Sequence, residues 1–234
     1  MPGFAGALGI LVAAAVATIM VVSWIWTKTD ELTPVSLPSA KGTPLQTLDP
    51  SAKPTIPPEP EGNYVGSYMV AWNNDKMAGM SSAWKEDYNR ISLYGGTGLW
   101  LTVHTKYDGK SDWGNHVAFG GLPKNIPYKS TPAGMREAAA QVGGRLLNRL
   151  YPGDKTKPTN VVHKSTLVNG RRVHEITARF PVKVPKLKET YSIIAIAVVD
   201  RGDGTAMVSI ADLCGTTPQW LTVWRQRVAA MIIN

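Results

Sequence analysis

The segment RRVHEITARF, residues 171–180, sets His174 beside Glu175, the opening of the His-Glu-x-x-His zinc-protease signature. That chemistry needs a second histidine four residues on, so that both imidazoles leave one helical face with the glutamate beside the metal. Position 178 is alanine. The segment also follows Asn169-Gly170, a dipeptide that favours a two-residue hairpin turn, so it reads as a strand. Alternation then puts Arg172, His174, Ile176, Ala178, Phe180 and Val182 on one side and Val173, Glu175, Thr177 and Arg179 on the other. No metal site is expected, and His174 is expected as a hydrogen-bonded histidine in or at the edge of the core.

Other catalytic patterns are equally incomplete. His104, His116 and His163 fall on separate predicted strands. Gly79-Met80-Ser81-Ser82-Ala83 lacks the closing glycine of a nucleophile elbow, and Gly95-Gly96-Thr97-Gly98 reads as a flexible turn, without the Lys-Ser/Thr ending of a phosphate loop. Cys214, the single cysteine, reads as a small buried apolar residue and excludes both an internal disulfide and a multi-cysteine zinc site. Arg201-Gly202-Asp203 reads as a glycine turn and not as an adhesion motif. The chain is therefore expected to be no enzyme, with no catalytic residues and no cofactor.

Binding residues are easier to nominate. Lys164, Arg171, Arg172, Arg179, Lys183, Lys186 and Lys188 face only Glu175 and Glu189 within residues 161–190, more than half of the formal charge of +8. Such a surplus fits anionic headgroups, an acidic protein partner or nucleic acid; the plain alternative is a strand edge kept soluble by its charges. In a membrane-tethered chain no nucleic acid is expected. Trp72, Trp84 and Trp113 lie near predicted element ends, where exposed indoles would suit a glycan or lipid, while Trp100, Trp220 and Trp224 fit core positions. Structural packing is the competing role for all six.

These residues need elements to hold them. Strands are expected at 64–72, 99–106 and 116–122, with 77–88 ambiguous and Asp108-Gly109 turning the second into the third. Thr131-Pro132 should cap a helix whose stripe is Met135, Ala138, Ala139, Val142, Leu146 and Leu150, ended by Tyr151-Pro152-Gly153. Gly143-Gly144 inside it costs about 1 kcal/mol per glycine relative to alanine, which implies close packing. Four strands follow at 159–168, 171–182, 190–200 and 205–213, turned at Asn169-Gly170 and at 200–204. Thr217-Pro218 should open a last helix with Trp220, Trp224, Val228 and Met231 on one stripe. The fold class is α+β, an antiparallel sheet flanked by helices.

The N-terminal quarter differs in composition. Phe4 to Trp26 is 23 residues without charge, closed by Trp24, Trp26 and Lys28, which is expected to form one transmembrane helix, residues 1–27. Ala15-Val16-Ala17 offers a signal-peptide cleavage site, but no Lys or Arg precedes the apolar run and it continues past Ala17, so a retained single-pass anchor is preferred. Residues 28–62 carry eight prolines among Ser, Thr, Lys and Asp and form a disordered spacer; at ~3.1 Å per residue in polyproline II it reaches as much as ~100 Å. That leaves 63–234 as a soluble α+β domain, placed outside the cell membrane because such a spacer suits work across an envelope.

The order of the last elements is similar to a known family. "VNGRRVHEITARF", "YSIIAIAVVD", "RGDGTAMVSIA" and "TPQWLTVWRQRVAAMI" resemble the PsbP-like αβα sandwich of actinobacterial LpqN-type envelope proteins, closest in layout to the membrane-anchored mycolate-transport factors of TtfA type. The resemblance implies a fold without catalytic residues that acts through envelope partners such as lipid transporters, and it supplies no functional residues. The leading expectation is a non-enzymatic, membrane-anchored accessory protein that docks on an envelope partner or transporter. The alternative is a lipid- or glycan-binding module.

Overall fold

The computed structural model describes residues 58–234 apart from 88, 184 and 185; the expected anchor and most of the spacer lie outside the described residues. Among the described residues there are ten strands: β1 (Asn63–Val65), β2 (Tyr68–Val70), β3 (Lys76–Ala78), β4 (Lys85–Asp87), β5 (Tyr94–His104), β6 (Trp113–Gly121), β7 (Thr159–Val168), β8 (Arg171–Pro181), β9 (Tyr191–Asp200) and β10 (Ala206–Cys214). Two helices accompany them, α1 (Pro132–Leu150) and α2 (Gln219–Ala229). Seven strands form one sheet in the order β4-β5-β6-β10-β9-β8-β7, and β1-β2-β3 form a small second sheet. Every pairing is antiparallel, so the class is α+β.

Both faces of the large sheet are covered. Ile194, Ile196 and Val198 of β9 join Met135, Ala138, Ala139, Val142 and Leu146 of α1 in one core. Val173 of β8, Ala195 and Ala197 of β9 and Ala211 of β10 join Trp224 and Val228 of α2 and Met69 and Met77 of the small sheet in the other. This is why β9 reads as an unbroken apolar run from Ile193 to Val199: a strand buried on two faces has no polar side to show. Helix α1 begins and ends where its sequence indicates, with Thr131 Oγ1 accepting from the Gly134 N–H. Gly143 lets α1 sit close on β9, since a Cβ there would stand 2.9 Å from Ile196 Cδ1 and displace the tip of that side chain.

Three expectations are corrected. Residues 64–72 are not one strand, because Gly66 at φ +58° folds them into the β1-β2 hairpin, and the ambiguous 77–88 divides between β3 and β4. The glycine run 95–98 is no turn but part of β5: a Cβ on Gly96 would stand 2.4 Å from the Phe119 carbonyl oxygen, and one on Gly121 2.5 Å from the Trp72 ring. The glycines keep the neighbouring backbone and the Trp72 indole close, a packing reason that resembles turn chemistry in the sequence. The last helix opens at Thr217-Pro218 as its sequence indicates, starting after Pro218 with no side-chain cap, and the Thr217 hydroxyl lies 3.1 Å from Asn115 Oδ1. Trp100 is half-buried, its indole N–H donating to Thr102 Oγ1, and not a core residue.

Arg201 is not free to act as an adhesion residue. Its Nε donates at 2.8 Å to Oδ2 of the buried Asp75, whose Oδ1 accepts from the Asn234 N–H at 2.8 Å. One carboxylate thus fastens the turn between β2 and β3 to the β9-β10 turn and to the last residue.

Trp224 is fully buried, with Nε1 donating to Ser209 Oγ at 2.9 Å. Trp224→Ala is expected to destabilise the fold by about 3–5 kcal/mol, measured by urea denaturation. A loss below about 1 kcal/mol would show that α2 contributes little to the core.

Candidate functional site

The longest open edge belongs to β7. It is ten residues long, pairs among the described residues only with β8, and is exposed along its length except at half-buried Thr166 and Val168. Val161, Val162 and Leu167 are 50%, 57% and 72% exposed, and Lys164 carries its only charge apart from any on His163. Asn160, at φ +51°, sits in a register shift between Thr159 and Val162 that twists the start of the strand. From Val162 onward the strand stays in register with β8 and offers unpaired backbone groups along its outer side.

The nominated cations divide between the two ends of β8. Arg171 is half-buried and structural, donating to the carbonyls of Arg201 and Ile233. Arg172 beside it donates at 2.6 Å to the Ser130 carbonyl. At the far end Arg179 lies over the Tyr191 ring at 4.6 Å, followed by exposed Lys183, Lys186 and Lys188 in the connection to β9. The exposed cations toward the start of β7 are Arg179, which pairs opposite Thr159, and the lysines that follow it in sequence; Lys164 lies on β7 itself.

The three nominated tryptophans do not gather. Trp72, 38% exposed, packs edge-on against Tyr94. Trp84 is buried and packs edge-on against Trp220. Trp113, half-buried at the opposite end of β6 from the Gly121 that Trp72 covers, sits between Tyr107 and Tyr151. Each belongs to a different local packing group, with no shared indole surface.

Each histidine has a partner. His104 Nε2 lies 2.7 Å from the buried Glu189, which also accepts from Thr216 Oγ1, and burial is the largest influence on that carboxyl although its hydrogen bonds hold its pKa below the usual value. His116 is buried against the Asn89 carbonyl at 2.9 Å and Asp87 at 3.5 Å; desolvation lowers its pKa. The pair missed by sequence reasoning is His163 and His174: His163 Nδ1 is 3.2 Å from His174 Nε2, and Ser165 Oγ is 2.9 Å from His174 Nδ1. The signal was the Asn-Gly turn. Once Val168 pairs with Arg171, counting outward sets Ser165 opposite His174 and His163 on the same face.

A serine beside a histidine invites comparison with nucleophilic catalysis. The pair lies on open sheet surface, and neither the 940 Å³ cleft beside α1 nor the 500 Å³ cleft at the Asn169 hairpin is lined by it. Cys214 is buried and its thiol is pushed up to about 12 by desolvation, which leaves it protonated and poorly nucleophilic. Asp212, its carboxyl raised to about 6 by burial, accepts from Tyr151 Oη at 2.9 Å, and the same hydroxyl lies 2.9 Å from Ser192 Oγ with no histidine in the group. Among the described residues no group of three or more His, Cys, Asp or Glu could hold a metal, and no helix is long and apolar enough to cross a membrane.

Burial lowers the pKa of both His163 and His174, with the Arg136 charge adding to each and His163 adding to His174. The unfolded chain then binds more protons than the folded one just below the ordinary histidine value of about 6.5. Their stabilisation is complete above that pH and is lost as pH falls toward the lowered folded values. Asp212 acts in the opposite sense, since its raised pKa makes the fold bind the extra proton below about 6. The melting temperature of the wild type should therefore fall more steeply from about pH 7 to about pH 6 than that of H163Q/H174Q. Parallel curves would remove the pair from the pH response.

No family model matches the chain, and no curated protein matches it. Among solved structures, the chain is similar to the solution structure of cyanobacterial PsbP (CyanoP) from Synechocystis sp. PCC 6803, at 13% identity and a TM-score of 0.36, over 66% of this chain and 94% of that one. The α+β class rests on the strand order described above.

Proposed function

We propose that the chain is a non-enzymatic, single-pass membrane-anchored accessory protein of the cell envelope whose folded domain docks on a partner, such as a transporter, outside the membrane. The observation that carries this reading is the ten-residue edge strand β7 with its exposed valines and leucine. Monomers normally blunt such an edge, and a partner strand added to it would satisfy the unpaired backbone while alternate side chains select the sequence. Lys164, Arg179, Lys183, Lys186 and Lys188 beside it favour an acidic extended segment.

Anchoring and placement are supported by the 23 charge-free residues Phe4 to Trp26 and by the proline-rich spacer that follows. The LpqN-type and TtfA-type affinity rests on the quoted C-terminal segments alone. The lipid- or glycan-binding alternative through Trp72, Trp84 and Trp113 has less support, because these indoles lie in separate packing groups.

A photo-crosslinking residue at Val162 of the full chain in host membranes is expected to capture a membrane or envelope protein, and the same probe at exposed Lys157 to capture none. Adding Leu167→Lys should reduce the adduct about tenfold or more, and charge reversal at Arg179, Lys183, Lys186 and Lys188 should reduce it while far-UV circular dichroism stays unchanged. Equal adducts at both probe positions would sink strand docking. Turnover of envelope lipids or peptides that is abolished by alanine at one serine or histidine would sink the non-enzymatic reading.

A further inference from the structure

The cleft of about 940 Å³ lies between the second half of α1 and the turn that leads into β5, and it is lined by more cations than carboxylates. Arg90, Lys124, Arg145 and Arg149 line it against Glu59 and Glu61. Only Arg90 has a carboxylate partner, Glu59 at 3.0 Å; it also donates to the Pro60 carbonyl at 3.1 Å. Arg145 donates to the neutral Asn125 Oδ1 at 2.5 Å, and Lys124 rests 4.5 Å above the Tyr94 ring. Among the described residues Lys124, Arg145 and Arg149 have no ion pair.

The floor of the cleft is strained. Ile91 and Ser92 stand at φ +45° and +65°, and the Leu93 N–H donates to the Arg90 carbonyl at 3.0 Å, closing a turn with two successive left-handed residues. Turns of that kind are dominated by Gly, Asn and Asp, and a β-branched residue there is an outlier. Strain of this sort persists where surrounding structure enforces it and concentrates at ligand sites. Here the turn holds Arg90 at the rim, beside Asn89 and Ser92.

We propose that this cleft binds a phosphate ester on a hydroxylated body, with Arg145 and Arg149 taking the phosphate and Arg90 exchanging Glu59 for the ligand. Guanidinium forks match phosphate oxygens bidentately, and three cations without ion pairs suit a phosphate, with its several acceptor oxygens, better than a single carboxylate. Asn89, Ser92 and Asn125 supply neutral donors and acceptors for hydroxyls. Glu59 shows that the cleft already seats an anion: the acidic end of the spacer occupies Arg90 and competes with the ligand. The site is independent of strand addition at β7.

The test is calorimetric titration of the full chain, in a non-ionic detergent at low salt, with glycerol 3-phosphate and with soluble dihexanoyl phosphatidylglycerol; glycerol is the blank. Saturable binding of either probe is expected, weakened about tenfold or more in R145Q/R149Q and tightened severalfold in E59Q. Equal or tighter binding of glycerol 3-phosphate supports the proposal with a soluble phosphate ester as source. Tighter phosphatidylglycerol binding supports it with a lipid headgroup as source. The proposal is overturned if neither probe saturates the wild type, or if R145Q/R149Q, folded by circular dichroism, binds as the wild type does.

Discussion

Two-sided burial of the seven-stranded sheet is the constraint on which the remaining structure depends. β9 carries Ile194, Ile196 and Val198 to one face and Ala195, Ala197 and Val199 to the other, all buried, so neither face tolerates water. One face is closed by α1 together with Ile126 and Tyr128 of the connection that precedes it. The other needs α2 and the small β1-β2-β3 sheet together, with Trp224 filling the space above the alanines of the same core. A sheet sealed on both faces leaves its margins as the only backbone able to accept a partner. Of the two, β4 is three residues long and β7 is ten, which is why the open edge of this domain is β7.

The small sheet is too short to stand alone, and its attachment is polar as well as apolar. Asp75 receives Arg201, Asn73 and the Asn234 N–H, which together settle most of its acceptor capacity inside a buried site. A buried carboxylate left without such partners would cost several kcal/mol, so this contact specifies where the β2-β3 turn can dock as much as it stabilises it. Arg171 strengthens the same corner by donating to the carbonyls of Arg201 and Ile233. A basic residue that looks available for partners in the sequence is thereby consumed in fastening the chain end. Arg172, next along the strand, points to the other face and is the more accessible of the two.

Local signals made the C-terminal half legible. The Asn169-Gly170 turn, with φ of +51° and +77°, the period-two pattern of β8 and the Thr131-Pro132 start of α1 each act over a few residues, and each agrees with the tertiary outcome. The glycine run in β5 was not legible, because glycine serves turns and close packing alike, and only the Phe119 carbonyl and Trp72 ring tell them apart. The candidate surfaces divide in the same way. Hairpin register brings Ser165, His163 and His174 together and was computable in advance. The cation-lined cleft joins residues 59–61, 89–92, 123–125 and 145–149, whose meeting depends on how α1 lies across the sheet.

Helix α1 carries charge toward both surfaces. Arg136 near its start acts on the His163 and His174 charges beside β7, while Arg145 and Arg149 near its end line the cleft. Nine residues of helix separate Arg136 from Arg145, about 14 Å of rise. The cleft draws its other walls from the β4-β5 and β6-α1 connections, toward the opposite margin of the sheet from β7. Six strand spacings of about 4.8 Å separate the margins, so a ligand in the cleft and a strand on β7 do not compete for space. The buried stripe of α1 packs on β8 and β9, so both surfaces are framed by one helix seated on the centre of the sheet.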